Sequence, residues 1–544
     1  MKIVIAEKIS PAAIDVFKKE PRWTVLTPEQ LDGKLAAHLE DADALIVRSA
    51  VTVNAPLLEN AAHLRVIGRA GVGVDNIDLD AATRKGVAVM NTPGANAVAV
   101  AEHTIALMLA LARHLCRANE LMRAGRWEKK SLQGSELRGK TLGIIGLGRI
   151  GMEVARRVRG FGMTVVAHDP FISPAIAREQ EIRMAGLDEI YAESDYLTLH
   201  VGLTPQTTGM INADSLAKMK RGVRLVNCAR GELIQDVALA DALKRGHVAA
   251  AALDVFSEEP PPKNSPLLAL ENVITTPHIA GSTHEAQEAV GYQIALQVKE
   301  YLKHGVIQNA VNVPSLSHDE YVELHPYIDL AERLGSFLGQ SSDGSIEEIF
   351  LSYSGRIAEW KTELVRNGAI MGILNQVLAD KANLVNAASI ASSRGVAVHE
   401  ERKPKGGGAA ANVLSIVLKT SREERLVRGG VLHGNSPRLL SIDGIDIEAP
   451  LERNLIYLRN RDVPGVIGRV GTILGDHKIN IADFSLGRRQ PAAKAASAGA
   501  EKKTSVKQAG EAIAVVHIDT RVPEEVLAKL RKIPAMQSAK AIRL

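Results

Sequence analysis

The stretch TLGIIGLGRIG, Thr141 to Gly151, runs an apolar strand straight into Gly146-x-Gly148-x-x-Gly151, and the helix-like MEVARRVRGFG follows it. Glycine at the first position permits a tight turn, at the second it lets backbone approach a pyrophosphate, and at the third it lets helix pack on strand. The helix N-terminus then faces the anion. Glycine-rich turns are common, so the surroundings decide the reading. A second strand, MTVVAH, ends at Asp169, 18 residues past Gly151, where a ribose-binding carboxylate belongs. That acid repels a 2′-phosphate and selects NAD. His168 beside it reads as a strand-end surface histidine. A similar run, Gly71 to Asn76 (GVGVDN), lacks the third glycine and a matching acid, and reads as a loop at a cleft.

Outward from this centre, apolar runs alternate with helical patterns: KIVIA, ALIVRS, RVIGRAG and VAVMNTPG on one side, YLTLH, VRLVNCA, AAALDVF and VITTPH on the other. This alternation predicts α/β architecture, two doubly wound Rossmann-like lobes. The first lobe spans 1–94 and 283–312, and the second, NAD-binding, spans 95–282. A helix from about Ala97 bridges them, and one from about Thr283 to Lys303 carries the chain back. After Pro314 the texture changes to an α+β intervening domain, 313–450, whose ERKPKGGGAAA (Glu401 to Ala411) reads as a Gly-rich turn without phosphate-loop context. A βαββαβ unit, 453–544, closes the chain. Its segment 488–511, rich in Ala, Lys, Gln and Ser, reads as a disordered loop inserted between two strands.

The 544 residues carry 66 Lys+Arg against 62 Asp+Glu and only 3% aromatics. That balance argues against a nucleic-acid binder built on basic patches and stacking rings. With two cysteines and no apolar leader, neither a disulfide framework nor secretion is expected, and the location expected is cytoplasmic. The apolar stretch Ala97 to Leu115 includes Glu102 and His103 and reads as a buried helix, so no membrane partner is expected. No metal site is read.

Three polar residues follow successive strands of the second lobe: Arg230 after VRLVNCA, Glu259 after ALDVFSE and His278 after VITTP. Ligands of open α/β sheets sit at such strand ends. Oxidising a secondary alcohol by hydride transfer needs a base for the hydroxyl proton, a carboxylate partner for that base and a cation for the substrate's own carboxylate. His278, Glu259 and Arg230 supply these in turn.

The motifs GLGRIG, NCARGELI, ALDVFSEEP and TPHIAGST, together with RAGVGVDNID and NTPGANAVAVAEH, resemble the D-2-hydroxyacid dehydrogenase family. The resemblance runs from end to end: the tail is similar to an ACT domain and the intervening segment to an allosteric substrate-binding domain. It implies that Arg230 orients substrate, that Glu259 is the partner acid and that His278 is the proton donor or acceptor. It also implies NAD contacts at Arg149, Ile150, Asp169, Cys228 and Asp254. The family often has Tyr where this chain has His168.

The family's substrates include lactate, glycerate, formate and phosphoglycerate. Arg48 and Arg69 close first-lobe strands toward the cleft and suit a phosphate fork, with Lys129 a third candidate. The regulatory tail favours 3-phospho-D-glycerate, oxidised to 3-phosphooxypyruvate, over the glycerate or lactate alternatives and over a NAD-sensing binding protein of the same fold. In the tail, the turn Arg459 to Gly468 exposes backbone N–H groups at Gly465 before a helix, and Asp462 with Asn480 can grip an amino acid across an interface. The ACT resemblance implies L-serine as that effector. A homo-oligomer is expected, and the family's usual number implies a tetramer.

Overall fold

The computed structural model describes residues 1–378, 381–404, 412–432, 435–489 and 510–544. Four sheets organise them. The first holds β1 (Lys2–Ile5), β2 (Thr24–Leu26), β3 (Ala44–Val47), β4 (Val66–Arg69) and β5 (Ala88–Met90), all parallel, in the order β2-β1-β3-β4-β5. β3 and β5 are buried along their whole length, as strands covered by helices on both faces must be. The helix His284–His304 returns from the second lobe and lies on β4, where Gly68 leaves no Cβ to collide with Ile294 and Val298.

The second sheet takes β6 (Thr141–Ile145), β7 (Thr164–His168), β8 (Arg183–Met184), β9 (Tyr196–Leu199), β10 (Val223–Asn227), β11 (Val248–Leu253) and β12 (Val273–Thr275), in the order β12-β11-β10-β9-β6-β7-β8. The winding reverses between β6 and β9, and the glycine pattern leaves β6 at that point, where an open sheet offers its crevice. The apolar helix at the lobe boundary is Ala97–Arg113; His114, at φ +52°, breaks it, and Leu115–Arg123 continues 63° off its axis. Among the described residues no single helix is long and apolar enough to cross a membrane. This bent pair passes a length and composition test jointly, but the first member is packed into the second-lobe core.

The intervening sheet contains β13 (Ile346–Gly355), β14 (Ala397–Lys403), β15 (Asn412–Thr420), β16 (Glu424–Leu432), β17 (Ser436–Ile442) and β18 (Ile445–Pro450), in the order β14-β13-β15-β16-β17-β18. Two helices, His318–Ser341 and Glu363–Leu374, cover it and approach each other backbone to backbone at Gly335 and Gly372. Of the Gly-rich turn expected at Glu401 to Ala411, the first residues belong to β14 and 405–411 lie outside the described residues. The last sheet is β20-β21-β19-β22, from β19 (Asn454–Arg461), β20 (Ile481–Arg488), β21 (Glu511–Ile518) and β22 (Met536–Arg543), with helices Val466–Asp476 and Glu524–Arg531 completing the βαββαβ order. The interior of the expected loop, 490–509, lies outside the described residues; its ends, Arg488 and Glu511, are strand residues.

A buried arginine ties the last two units together. Arg425 Nε donates to Asp443 Oδ2 at 2.7 Å, Nη1 to the Ser341 carbonyl at 3.2 Å and Nη2 to the Tyr457 hydroxyl at 3.1 Å. Its five donors thus serve three acceptors from both sides of the junction, the condition under which a buried charge is tolerated.

Candidate active site

β10, β11 and β12 are neighbours in one sheet, so the loops carrying Arg230, Glu259 and His278 emerge side by side. His278 Nδ1 lies 2.7 Å from Glu259 Oε2, and Glu259 Oε1 accepts from the Phe256 N–H at 3.1 Å. A carboxylate oxygen only accepts, so it orients the imidazole with Nδ1 as the donor, and Nε2 has no hydrogen-bond partner among the described residues. Both side chains remain open to solvent, 52% exposed for His278 and 37% for Glu259, as a base that must meet a substrate has to be.

The loop that presents His278 is built on Asp254, which ends β11 and is fully buried. Its Oδ1 accepts from Thr276 Oγ1 at 2.5 Å and Ile279 N at 2.9 Å, and its Oδ2 from Ala280 N at 2.8 Å. His103 Nε2, from the interlobe helix, stands 3.5 Å away. Burial works to raise the pKa of this carboxyl, but the bonds from His103, Thr276 and the two N–H groups outweigh it and hold it below the ordinary value. The Asp254 carbonyl also accepts from the His278 N–H at 2.8 Å, which pins His278 at φ +52°, a left-handed conformation that residues with a Cβ rarely adopt.

Arg230 points across the cleft to the first lobe. Its Nε and Nη2 stand 3.1 and 3.0 Å from Asp75 Oδ2, and Nη1 donates to its neighbour's carbonyl, Ala229 O, at 2.6 Å. The loop of Asp75 is the GVGVDN run. Asn76 anchors it by donating to the carbonyls of Arg48 at 3.0 Å and Val51 at 2.7 Å. Arg69 folds back over Gly71 in the same loop, largely buried, with Nε unpartnered. Burial, then the nearby Arg230, lowers its pKa, while Asp75 and Glu7 oppose and Arg48 adds to the lowering. Arg48 hangs over a cavity of about 340 Å³ shared with Ser282, Thr283 and the start of the helix His284–His304. Lys129, exposed in the turn Lys129–Leu132, shares no hydrogen bond or ion pair with these arginines.

The three glycines after β6 have distinct surroundings. Gly146, at φ +93°, packs against the His200 carbonyl, and a Cβ on Gly151 would overlap the Gly146 carbonyl. A Cβ on Gly148 would meet nothing within 4 Å. The open space lies at the N-terminus of the helix Arg149–Val158, where a pyrophosphate fits. Asp169 closes the other side: Oδ2 accepts from Leu147 N and Oδ1 from Phe171 N, both at 2.8 Å. Buried side-chain atoms without partners, Asn96 Oδ1 and His200 Nδ1, add unused polar capacity in the lobe boundary and beside the glycine turn. Burial depresses the pKa of His200 to about 3, so it is neutral. The residues present therefore fit a dinucleotide. Of the other expected contacts, Ile150 is half-buried. Arg149 bonds the Pro93 carbonyl where the chain crosses between lobes, and the Cys228 thiol is buried, its pKa pushed up to about 12. His168 departs from the surface reading: it is half-buried, with Nδ1 3.1 Å from the Ala185 carbonyl, because β8 pairs alongside β7.

Three residues of this site escaped the sequence reading: Asp75, Asn96 and Thr276. Asn96 opens the interlobe helix and stands against Gly281, three residues past His278. The signal available for Thr276 and Asn96 was position alone, inside TPHIAGST and NTPGANAVAVAEH.

In the last unit, Asp462 and Gly465 line a cavity of about 430 Å³ with Asn460, Phe484 and Arg488. Gly465, at φ +90°, opens the helix Val466–Asp476, and Arg488 Nε stands 3.5 Å from Asp462 Oδ2. Asn480 is at the opposite end of the sheet, donating to Asp519 at 2.7 Å, as the register pairing Ile481 with Ile518 and Arg488 with Ala512 requires. A single chain does not bring Asp462 and Asn480 together.

Comparison with known proteins agrees with this architecture. Residues 105–280 match the family described as D-isomer specific 2-hydroxyacid dehydrogenase, NAD binding domain. Residues 323–443 match the D-3-phosphoglycerate dehydrogenase intervening domain, and 455–535 match the ACT domain. The chain is 40% identical to a D-3-phosphoglycerate dehydrogenase of Methanocaldococcus jannaschii over 100% of both lengths. It is 38% identical to that of Bacillus subtilis over 100% of this chain and 99% of that one. Among solved structures, a NAD-dependent formate dehydrogenase from Staphylococcus aureus in complex with NAD is 29% identical, with a TM-score of 0.51 over 58% of this chain and 100% of its own.

Proposed function

This chain belongs to the D-3-phosphoglycerate dehydrogenase family, and from that premise we propose how its residues divide the work. The enzyme oxidises 3-phospho-D-glycerate to 3-phosphooxypyruvate, the entry to L-serine biosynthesis, and NAD supplies the hydride acceptor. His278 takes the hydroxyl proton at Nε2. Glu259 holds the opposite nitrogen and stabilises the imidazolium that forms. Arg230 clamps the substrate carboxylate. The single observation that carries this reading is the 2.7 Å bond between His278 Nδ1 and Glu259 Oε2 beside the loop of Arg230. Asp169 receives the ribose hydroxyls, the turn from Gly146 to Gly151 receives the pyrophosphate, and Arg149, Ile150, Cys228 and Asp254 line the cofactor's path.

Arg48 and Arg69 bind the phosphate, supported by their guanidinium groups on the first-lobe side of the cleft; Lys129 stays a third candidate on the sequence alone. The chain divides into domains 1–94 with 283–312, 95–282, 313–450 and 453–544, a division supported by one sheet falling within each span. The ACT match and the cavity at Asp462 and Gly465 support L-serine as feedback effector, with Asn480 contributed by a second copy. Exposed Leu115, Met122 and Trp127 support a homo-oligomer; a tetramer in the cytoplasm is what the family resemblance implies.

Steady-state NADH formation tests the phosphate assignment. Arg69→Gln lowers kcat/KM for 3-phospho-D-glycerate by about 10²-fold, the loss of one charged hydrogen bond, and leaves the rate on D-glycerate nearly unchanged. Equal losses on both substrates contradict it. In the same assay added L-serine lowers the wild-type rate, and a flat titration removes the feedback role.

A further inference from the structure

Arg230 can offer a carboxylate the donor edge formed by Nε and Nη2, and in this structure both atoms converge on Asp75 Oδ2 at 3.1 and 3.0 Å. The remaining nitrogen, Nη1, donates to the Ala229 carbonyl at 2.6 Å, a bond that holds the guanidinium in this orientation. The approach is close. A Cβ on Gly73 would overlap Arg230 Nη2, so the first-lobe loop meets the second-lobe guanidinium at a position where a side chain has no room. Asp75 is held there from its own side, because Asn76 beside it is anchored on the Arg48 and Val51 carbonyls.

Charge gives this contact its meaning. Arg230 and Arg48 both repel Arg69, and the carboxylates of Asp75 and Glu7 oppose that repulsion. Glu7 is committed to three backbone N–H groups, those of Arg48, Ala50 and Val51. Asp75 has no such commitment and its side chain is 67% exposed. A substrate bearing a carboxylate and a phosphate brings more negative charge than Asp75 removes on leaving.

We propose that Asp75 is a built-in stand-in for the substrate carboxylate. It holds the fork of Arg230 in the free enzyme, yields it when substrate enters, and so weakens substrate binding by competition while keeping Arg230 ordered. Asp75 is thus a positioning residue that acts through Arg230. The inference rests on Arg230 as the carboxylate clamp of the reading above.

The test is calorimetric binding of 3-phospho-D-glycerate, with NAD present, to the full chain in a His278→Ala background that does not turn over. Asp75→Asn and Asp75→Ala are compared with that parent. Both tighten binding, by about fivefold for Asn, the value of a partly exposed ion pair, and the gain shrinks with added salt. A purely structural role for Asp75 predicts the opposite sign, looser binding, and that result overturns the inference, as does an unchanged Kd in both variants. The thermal unfolding midpoint of each variant is recorded, so that a tightened Kd in a normally folded chain is the supporting outcome. A parent that binds NAD but no 3-phospho-D-glycerate overturns the substrate reading itself, an outcome distinct from unchanged affinity in the variants.

Discussion

His278→Ala lowers kcat by about 10³-fold, within the range that a positioned general base contributes, while the affinity for NAD stays within about twofold. The two halves of the expectation come from different parts of the cleft. The imidazole meets Glu259 at its Nδ1 and leaves Nε2 free, so its removal abolishes the acceptor for the hydroxyl proton. The pyrophosphate and ribose surfaces proposed for the cofactor, Gly146 to Gly151 and Asp169, follow β6 and β7, across the sheet from β12. Glu259→Gln has a smaller effect: Nδ1–H can still donate to the amide oxygen, while the charge that stabilises the imidazolium and the acceptor for the Phe256 N–H are lost. Parallel assays of NADH formation and of NAD binding separate these outcomes. Turnover within tenfold of wild type in the alanine variant contradicts the proposed relay.

Asp254→Asn has the second largest effect, and it strikes stability and turnover together. The carboxylate receives three donors, Thr276 Oγ1, Ile279 N and Ala280 N, on two oxygens, and has no hydrogen to offer. An amide must turn its NH₂ toward at least one of those donors. A buried donor left unsatisfied costs about 3 kcal/mol when a charged partner is lost. The loop then loses part of the side-chain grip on residues 276–280 that surrounds His278, and kcat falls by about 10²-fold as the base drifts from its position. Because the chain has several domains, the readout is the unfolding transition of the dehydrogenase part rather than one global midpoint. A variant with wild-type melting and turnover shows that Asp254 does not organise the loop.

The order of strands and the cofactor turn were legible in the sequence because their signals are local. Apolar runs of four to six residues such as Thr141–Ile145 and Tyr196–Leu199, broken by glycine and by helical periodicity, specify a parallel α/β unit without knowledge of tertiary contacts. Arg230, Glu259 and His278 were legible as a set because each stands just past a strand, and neighbouring strands of one sheet put their ends together. Asp75 was not. Its partner Arg230 is 155 residues away on the other lobe, and nothing in GVGVDN distinguishes a cleft loop from one that bonds across the cleft. The grip of Asp254 on residues 276–280 was hidden for the same reason, since backbone N–H groups leave no trace in side-chain identity. Asp462 and Asn480 were paired in sequence as a grip across an interface. The antiparallel register sends the two to opposite ends of one chain's sheet, a separation that strand signals alone do not give.

The most direct measurement of the central claim is the initial rate of NADH formation by the purified chain on 3-phospho-D-glycerate, D-glycerate and D-lactate, side by side. A cleft with Arg230 for the carboxylate and Arg48 and Arg69 for a phosphate gives kcat/KM for the phosphorylated acid about 10²–10⁴-fold above the other two, one or two charged hydrogen bonds' worth of discrimination. Equal or faster oxidation of D-glycerate or D-lactate contradicts the account.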